Sequence, residues 1–403
     1  MIFDMVIIGG GMVGTAVACA LKDSGLKVAL VEPHMPQAPS NMPVSVADVD
    51  MRVSALNRAS ENFLNNIGAW SQMPEARLSP YDKMRIWDGV GTGHIQFDAI
   101  ELGEAHLGHI VENRVTAQAL MMQLQQSQNV QLLAGETVQA IEEIDDDKNR
   151  FLIHLSSGQM LMTPLIVAAD GARSFVRNWA EFEMREWDYN HHGLVCSVQT
   201  EEAHQQCAWQ RFTESGVLAF LPLPQENLCS IVWSCPEQQA QSLLALDDKE
   251  FNIELSKAFE SKLGNVVASG QRVAIPLRQR HAKSYVKEGI VLVGDAAHTI
   301  HPLAGQGVNL GLMDAYVLAD EIKQGLSRGL QAHDSQLLAR YERRRMPENL
   351  SMMTAMESFK RLFAVQSPAL RWARNWGMSK LNKIGFLKQH LAAEAMGIGR
   401  KLR

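Results

Sequence analysis

The sequence predicts an α/β fold: a Rossmann-like βαβ domain interleaved with an antiparallel β-sheet domain and followed by a helical C-terminal region. Three observations predict this fold. A glycine-rich turn joins a short apolar strand to a helix at the start of the chain, two later apolar runs end in turns that contain aspartate and glycine, and short apolar or alternating runs lie between them. A chain of 403 residues also exceeds one ordinary hydrophobic core, which favours more than one domain.

The first piece has the strand–helix–strand order that is typical of dinucleotide binding. The predicted elements are a strand at 3–8, a helix at 12–24 and a second strand at 27–31. Gly9 permits the tight turn, Gly11 lets the backbone approach a pyrophosphate, and Gly14 lets helix and strand pack closely. Glu32 ends the second strand, where its carboxylate can accept both ribose hydroxyls of a dinucleotide. This piece alone does not distinguish FAD from NAD.

Two later pieces favour FAD. Residues 165–169 form an apolar run that precedes Asp170, and residues 289–293 form another that precedes Asp295. FAD has a ribityl chain and flavin rings that NAD lacks, so it needs groups beyond the first cradle. A carboxylate at the carboxyl end of a strand can accept hydrogen bonds from ribityl hydroxyls, which is the role predicted for Asp295.

The segment after Asp295 predicts a helix from about residue 305 to about residue 323. Its N-terminal amides would face the pyrimidine side of the flavin, where the reduced flavin carries negative charge. The residues assigned to this flavin environment are Pro302, Gly305, Gln306, Gly307, Val308 and Asn309.

These motifs resemble those of the flavoprotein aromatic hydroxylases with the para-hydroxybenzoate hydroxylase fold. Within that family the chain is most similar to the ubiquinone-biosynthesis hydroxylases, and among them to the 2-polyprenylphenol hydroxylases. The narrower resemblance rests on residues 52–57, 106–113, 187–189 and 228–233.

The resemblance implies that NADPH or NADH, as a transient donor, or another reductant reduces FAD. O2 then forms a flavin C4a-hydroperoxide that hydroxylates a phenol ring. Arg52 matches the family arginine near flavin and pyrophosphate, although a salt bridge at a helix start is an alternative. Asp170 matches the motif that serves both FAD and the nicotinamide donor. The glycine run at 89–93 predicts a hairpin or loop, so no second βαβ cradle is expected.

The pieces predict a discontinuous FAD-binding domain at 1–74, 111–179 and 276–330, a substrate domain at 75–110 and 180–275, and a helical region at 331–403. Leu218, Phe220, Leu221 and Pro222 are candidates for lining the substrate pocket, with ordinary sheet core as the alternative. No acid or base stands out. The weaker candidates are Tyr189, His191 and His192, while His298 and His301 lie in the predicted flavin loop.

The net charge of −6 gives no reason to expect nucleic-acid binding. Residues 340–403 contain 14 Lys and Arg against 4 Asp and Glu, a net of +10, so the rest carries −16. The apolar stripes in this region favour either packing on the protein's own core or a sister subunit, or contact with lipid or a partner enzyme.

The five cysteines form no CxxC pair, no metal-ligand pattern occurs, and no run of about 18 apolar residues is present. We therefore expect a cytoplasmic protein without a metal, with peripheral contact at the inner face of the membrane as a further hypothesis.

Three alternatives stay open at this point. The first is a hydroxylase for another ring position or another aromatic substrate. The second is an FAD dehydrogenase or oxidase that makes no oxygenated product, and the third is a non-catalytic flavin-binding scaffold in a biosynthetic complex.

Overall fold

The computed structural model describes residues 1–37, 41–144, 150–299, 306–364, 367–381 and 385–397. Three residues predicted for the flavin loop, His301, Pro302 and Gly305, lie outside these ranges. The side chain of Gln306 and that of Tyr189 also lie outside the described part of the chain.

The strands, in chain order, are short except in the second half of the chain. They are β1 (Met5–Ile8), β2 (Val28–Glu32), β3 (Val53–Asn57), β4 (Ser79–Tyr81), β5 (Lys83–Asp88), β6 (His94–Asp98), β7 (Gly108–Glu112), β8 (Val130–Ala134), β9 (Val138–Glu143), β10 (Phe151–Leu155), β11 (Met160–Thr163), β12 (Ile166–Ala168), β13 (Met184–Thr200), β14 (Cys207–Thr213), β15 (Gly216–Pro222), β16 (Leu228–Pro236), β17 (Val266–Ser269), β18 (Val273–Ala282), β19 (Val286–Lys287), β20 (Ile290–Leu292) and β21 (His298–Thr299).

The helices become longer toward the C-terminus. They are α1 (Met12–Ala20), α2 (Arg58–Asn66), α3 (Asn113–Leu124), α4 (Phe175–Trp179), α5 (Glu237–Ala245), α6 (Asp248–Ala258), α7 (Gln306–Ser327), α8 (Ser335–Ala364), α9 (Pro368–Leu381) and α10 (Gly385–Ala395). Helix α1 ends four residues before the predicted end at residue 24, and the chain turns at Gly25 with φ +78°.

A six-stranded sheet forms the centre of the nucleotide-binding part, in the order β19-β20-β12-β1-β2-β8. Five of these strands are parallel, and β19 pairs antiparallel with β20. Every residue of β1, β12 and β20 is buried. This explains why each reads as an unbroken apolar run, since parallel strands are covered on both faces by helices. Helices α1, α3 and α7 contribute to the same hydrophobic core.

A nine-stranded sheet occupies the second layer, along the path β21-β18-β13-β16-β15-β14-β5-β6, with β17 paired to β13. Strands β13 to β16 pair antiparallel, as the sequence predicts. One pair departs from the predicted antiparallel sheet, because β5 runs parallel to β14. The glycine run at 89–93 connects β5 and β6 as a hairpin, which confirms that prediction. The proposed domain boundaries stay a prediction.

The basic charge of the C-terminal region is partly neutralised inside the molecule. Basic residues of this region form ion pairs with acidic residues that precede residue 340, and these pairs are Arg344 with Asp320 and Glu321, Arg345 with Asp314, Arg371 with Glu214, Arg374 with Asp88, and Lys388 with Glu101. The basic region after residue 340 and the acidic remainder of the chain are therefore in contact. The difference in net charge between them overstates how basic the surface is.

The apolar stripes of the C-terminal helices divide between two environments. Met353 packs against Leu310, and Phe363 packs in a cluster with Ile95, Phe212 and Met378, so these positions belong to the protein's own core.

Three large apolar side chains remain exposed on helices α9 and α10. Trp372 and Trp376 are 69% and 55% exposed, and Phe386 is 78% exposed. None of the described helices combines the length and the apolar character needed to cross a bilayer.

Candidate active site

The three sequence motifs meet at one edge of the six-stranded sheet. Strands β1, β12 and β20 are neighbours and parallel, so Gly9, Asp170 and Asp295 follow the same carboxyl edge. The backbone continues this contact past the strands, because Ala169 N donates to Ile8 O at 2.8 Å and Val293 N donates to Ala168 O at 3.0 Å. Ligands of open α/β sheets bind at such an edge.

The first motif forms a cradle in which three glycines have different surroundings. A Cβ atom on Gly14 would lie 1.9 Å from the carbonyl oxygen of Gly9, and one on Gly9, where φ is +103°, would lie 2.4 Å from that of Ala169. A Cβ atom on Gly11, the N-cap of α1, would meet nothing within 4 Å. Gly9 and Gly14 therefore serve close backbone packing, whereas Gly11 faces open space beside the helix N-terminus. That space fits a pyrophosphate.

Glu32 is held in a fixed orientation by the glycine turn itself. Its Oε2 accepts from Gly10 N at 2.6 Å, and its Oε1 accepts from His34 N at 2.8 Å. A Cβ atom on Gly10 would lie 2.6 Å from the Cβ of Glu32. Sequence reasoning missed Gly10, although the unbroken run of three glycines was a visible signal. Each carboxylate oxygen keeps a further lone pair for a ribose hydroxyl.

Asp295 offers a free carboxylate to the cleft. It lies in a 3₁₀ turn, Gly294–Ala296, directly after β20, and it makes no hydrogen bond with the described residues. Asp295 is exposed at the surface of the cleft, yet surrounding protein atoms displace part of the water around its carboxylate. This desolvation raises the pKa of Asp295, while the charges of His298 and Arg52 act in the opposite direction. An unused acceptor at this position fits the ribityl hydroxyls of FAD.

Arg52 lies close enough to Asp295 for its charge to act on that carboxylate. Its side chain is exposed, and within the described ranges it forms no ion pair. Arg52 precedes strand β3, and both interpretations of this residue stay predictions. The structure brings Arg52 and Asp295 together from positions more than 200 residues apart in the sequence.

Asp170 supports the second motif from within. Its Oδ2 accepts from Val176 N at 3.2 Å at the start of helix α4. Burial raises the pKa of Asp170, and hydrogen bonding to Ser174 opposes the rise. Its other oxygen, Oδ1, is buried without a hydrogen-bond partner among the described residues, so one acceptor remains for a ligand or water.

Arg177 joins the second motif to the third, a role that sequence reasoning did not assign. This buried side chain donates to Ala296 O at 3.0 Å and to Ala172 O at 2.9 Å. The turn that carries Asp295 and the loop after Asp170 are therefore tied by one guanidinium. Arg177 lies only seven residues after Asp170, but its partner Ala296 is more than 100 residues away in the sequence.

The first turns of α7 pack against β3 and α2. Gly307 and Val308 are half-buried, while Asn309 is 1% exposed. Asn309 Oδ1 accepts from Asn57 N at 3.0 Å and Ser60 Oγ at 2.7 Å, and its Nδ2 donates to Ala55 O at 2.8 Å. The Asn309 amide thus holds the helix start in place.

The four substrate candidates of β15 divide between the two faces of the sheet. Leu218 and Phe220 pack in the core beneath helices α5 and α6, where Phe220 stacks on Phe259 at 3.7 Å between ring centroids. Pro222 shares their face by strand alternation. Leu221 points the other way, into a cluster that includes Ala55 of β3.

The predicted pocket wall is therefore wrong for Leu218 and Phe220, because strand alternation turns these side chains into a filled core. Leu221 alone among the four lies on the side of the flavin-binding part. Ala219 and Leu223, which share its face, belong to the same cluster and were missed.

His191 and His192, two of the weaker acid or base candidates, lie on strand β13. His191 is hydrogen-bonded to Ser215 O at 3.1 Å, and His192 Nδ1 is buried without a partner in the described structure. Glu61, His106 and His109 converge within metal-ligand distances. Arg58, however, lies 2.6 Å from Glu61 and 2.7 Å from His106, so a guanidinium already supplies positive charge to this cluster.

The cysteines are all free and buried. Burial raises the pKa of Cys19, Cys196 and Cys207 to about 12, so these thiols are protonated at neutral pH and are poor nucleophiles.

Comparison with known proteins gives consistent matches along almost the whole chain. Residues 3–355 match a family described as "FAD binding domain". The 3-demethoxyubiquinol 3-hydroxylase of Escherichia coli (strain K12) is 38% identical over 397 residues, which cover 98% of this chain and 98% of that protein. The mitochondrial ubiquinone biosynthesis monooxygenase COQ6 of Xenopus tropicalis is 32% identical over 438 residues, covering 98% and 93%.

Solved structures confirm the predicted fold class. The p-nitrophenol 4-monooxygenase PnpA from Pseudomonas putida DLL-E4 matches with a TM-score of 0.78 and 18% identity, covering 100% of this chain and 99% of that one. At this identity the likeness shows the fold alone.

Proposed function

We propose, from the premise that this chain belongs to the FAD binding domain family, that it hydroxylates the ring of a polyprenylated phenol in ubiquinone biosynthesis. The family match and the hydroxylase relatives confirm the prediction of an FAD-dependent aromatic-ring monooxygenase. The observation that carries the proposal is the meeting of the three motifs at one sheet edge, in a chain that aligns end to end with ubiquinone-biosynthesis hydroxylases.

The residues of the cradle support FAD as the cofactor. We assign the pyrophosphate to Gly11 and the N-terminus of α1, the adenosine ribose to Glu32, and the ribityl chain to Asp295. When bound, FAD supplies the redox chemistry, because it accepts two electrons from a donor and passes them to O2. One oxygen atom enters the ring as a hydroxyl group and the other leaves as water.

The protein's own contribution is to bind, orient and shield. The amides at the N-terminus of α7 are assigned to the pyrimidine side of the flavin, where they would stabilise negative charge. On the other side, Ala55 of β3 and Leu221 of β15 lie in one apolar cluster, which we assign to the wall that excludes water from the ring. No side chain of the described site is assigned as an acid or base.

A second candidate substrate is favoured by one relative. The Escherichia coli protein that is 38% identical is named for 3-demethoxyubiquinol and for the 3-position. A demethoxyubiquinol is also a polyprenylated, electron-rich ring, so the same cleft chemistry serves both substrates. The two candidates differ in which ring position faces the flavin.

Lipid extracts of a strain that lacks the gene separate these candidates. We expect a polyprenylphenol to accumulate if the proposal is right, and 3-demethoxyubiquinol if the second candidate is right, each identified by mass spectrometry. Restoration by the wild-type gene is the control. An unchanged quinone profile would contradict both substrates.

Isotope labelling separates a hydroxylase from an FAD dehydrogenase or oxidase. Purified enzyme supplied with the accumulated compound, a reductant and ¹⁸O2 is expected to yield product with one labelled oxygen. Product without label would contradict the monooxygenase reaction.

We propose a nicotinamide nucleotide as the electron donor and a cleft lined by Asp50 and Met51 as its approach. This cleft, of about 680 Å³, lies between residues 46–51 and residues 269–272, and it includes Arg114 and Arg272. Both guanidinium groups are suited to phosphate oxygens, although each is partly paired with nearby acids. We expect Arg272→Ala to raise the KM for NADPH while FAD occupancy stays unchanged. An unchanged KM would contradict this assignment of the cleft.

We propose that the exposed patch of Trp372, Trp376 and Phe386 makes the peripheral contact with an anionic bilayer. The two indole rings are one helical turn apart and 6.3 Å between centroids, and Lys380 lies over Trp376 at 5.6 Å. Paired aromatic rings beside a lysine suit the interface between headgroups and acyl chains. A substrate with a polyprenyl chain dissolves in bilayers, which supports such a contact.

Vesicle sedimentation tests the patch. The double variant Trp372→Ala with Trp376→Ala is expected to lose binding to vesicles that contain anionic lipid. Trp187→Ala is the matched control, since Trp187 is 49% exposed and belongs to strand β13 rather than to α9 or α10. Equal binding by the double variant and the wild type would contradict the proposed contact.

A further inference from the structure

A buried carboxylate lies directly behind the turn that presents Asp295. Asp314, on helix α7, has no solvent exposure. Its Oδ2 accepts from the backbone N of Gly294 at 3.0 Å and from His298 Nε2 at 2.5 Å. Gly294 begins the turn and His298 is the first residue of β21, two residues after the turn, so one carboxylate oxygen holds the chain on both sides of Asp295.

The other oxygen of Asp314 connects to the C-terminal helix α8. Oδ1 accepts from Arg345 Nε at 2.7 Å and from Asn349 Nδ2 at 3.2 Å. Arg345 is 2% exposed, and its Nη2 donates to Leu310 O at 3.2 Å in the first turns of α7. The carboxylate and the guanidinium therefore join the Asp295 turn to the start of α7, which are the two pieces assigned to the flavin.

The charge state of this cluster fits a fixed clamp. Burial alone would raise the pKa of Asp314, but the charges of His298 and Arg345 and their hydrogen bonds lower it well below its usual range. An ionised carboxylate with four donors has one favourable geometry in a low-dielectric interior, so it restricts the segments that supply those donors.

We propose that Asp314 is a positioning residue for the flavin, which locks the Asp295 turn to the N-terminal turns of α7 before the cofactor binds. The inference rests on the proposed assignment of Asp295 and of the α7 amides to the flavin. A clamp formed in the apoprotein lowers the conformational cost of ordering both segments around the cofactor.

The test uses the full-length apoprotein of Asp314→Asn, titrated with FAD by fluorescence. An amide keeps one acceptor but loses the charge that holds His298 and Arg345, so we expect FAD binding to weaken by about 10- to 100-fold. The midpoint potential of the bound flavin is the second readout. A displaced α7 N-terminus weakens the binding of the reduced flavin more than the binding of the oxidised flavin. The midpoint potential falls by about 30 mV for each tenfold difference between these two losses of affinity.

Asp320→Asn provides a matched control on the same helix. Asp320 also pairs with an arginine of α8, Arg344 at 2.7 Å, but it is half-exposed and does not contact the Asp295 turn. We expect this variant to bind FAD within about twofold of the wild type. Normal FAD affinity and potential in Asp314→Asn, or an equal loss in Asp320→Asn, would overturn the proposal.

Two further variants decide the question if Asp314→Asn does not fold. His298→Gln keeps a donor toward Asp314, whereas His298→Leu removes it, so the first should retain most FAD affinity and the second should lose about tenfold. Equal affinities in this pair would refute the clamp. Asp295→Ala separates this inference from the site assignment. FAD binding that persists in Asp295→Ala would refute the assignment of Asp295 to the flavin. Loss of FAD binding in Asp295→Ala together with normal binding in Asp314→Asn would refute only the clamp.

Discussion

Alanine at Gly11 and alanine at Gly14 are expected to fail in different ways. At Gly14 the new methyl group would overlap the carbonyl oxygen of Gly9, only 1.9 Å away, and would lie 2.9 Å from the Cβ of Ala169. Both obstacles belong to the backbone or to a short side chain, so neither can swing aside. We expect Gly14→Ala to lower the free energy of unfolding of the apoprotein by about 3 kcal/mol, at the upper end of overpacking costs.

Gly11→Ala should change the stability of the apoprotein very little. A Cβ atom there meets no atom within 4 Å, and φ of −65° with ψ of −175° is open to alanine. Alanine is a poorer N-cap than glycine but reduces the entropy of the unfolded chain, and these effects oppose each other within about 1 kcal/mol. The methyl group would instead project into the space assigned to the pyrophosphate, and we expect FAD to bind about 10- to 100-fold more weakly.

Two measurements on the same apoprotein preparations check this contrast. Urea unfolding gives the stability of each variant, and fluorescence titration with FAD gives its affinity. The reasoning fails if Gly11→Ala binds FAD as tightly as the wild type, or if its apoprotein is destabilised as strongly as that of Gly14→Ala.

Three further predictions follow from buried or cleft-facing charges. Asp295→Ala should leave the apoprotein folded, because the carboxylate makes no hydrogen bond with the described residues. The purified variant should be colourless, because it lacks the carboxylate assigned to the ribityl chain. Full flavin absorbance would contradict that assignment. Burial lowers the pKa of His281 to about 4 from an unfolded value of 6.5, so its contribution to stability is present above pH 6.5 and is lost as pH falls toward 4. In His281→Gln the free energy of unfolding in urea should therefore fall less between pH 6.5 and pH 4, by up to about 3 kcal/mol. An unchanged dependence on pH would refute this. Arg374→Met should lower the free energy of unfolding by about 3–5 kcal/mol, because the buried carboxylate of Asp88 loses its ion-pair partner, and adding Asp88→Asn should restore part of this loss. No recovery in urea unfolding would contradict pairing as the cause.

The arrangement of the site explains why the cofactor motifs are so far apart in the chain. Parallel strands that are neighbours in a sheet need not be neighbours in sequence, and β1, β12 and β20 are separated by more than 100 residues each. The second sheet is inserted between the pieces, so its strands lie against the cleft that those pieces form. This insertion places Leu221 of β15 beside Ala55 of β3 in one apolar cluster.

Several features were predictable because they depend on local chemistry. A glycine-rich turn between an apolar strand and a helix restricts the backbone to few conformations, so the cradle and the position of Glu32 followed from the sequence alone. The hairpin at 89–93 and the long helix after residue 305 followed for the same reason. The alternating strands were also visible, but the parallel pairing of β5 with β14 was not, because pairing partners are set by the tertiary fold.

Other features depended on partners that are distant in sequence. The sequence analysis named Leu218 and Leu221 alike as pocket candidates, and only the packed structure showed which side of β15 is filled by Phe259 and its neighbours. Likewise, a basic C-terminal region looks like surface until its arginines are seen to pair with Asp88 and Asp314.

The sequence by itself determined the nucleotide cradle, because glycine, a strand end and a helix start nearly fix its backbone geometry. It also indicated FAD and the family, through two further motifs and a resemblance to known hydroxylases. Only the tertiary structure decided that Arg177 and Asp314 hold the Asp295 turn from two sides and that half of the expected substrate wall is core. These contacts join residues from about 20 to more than 100 positions apart, and no local pattern specifies which buried charge will meet which backbone amide.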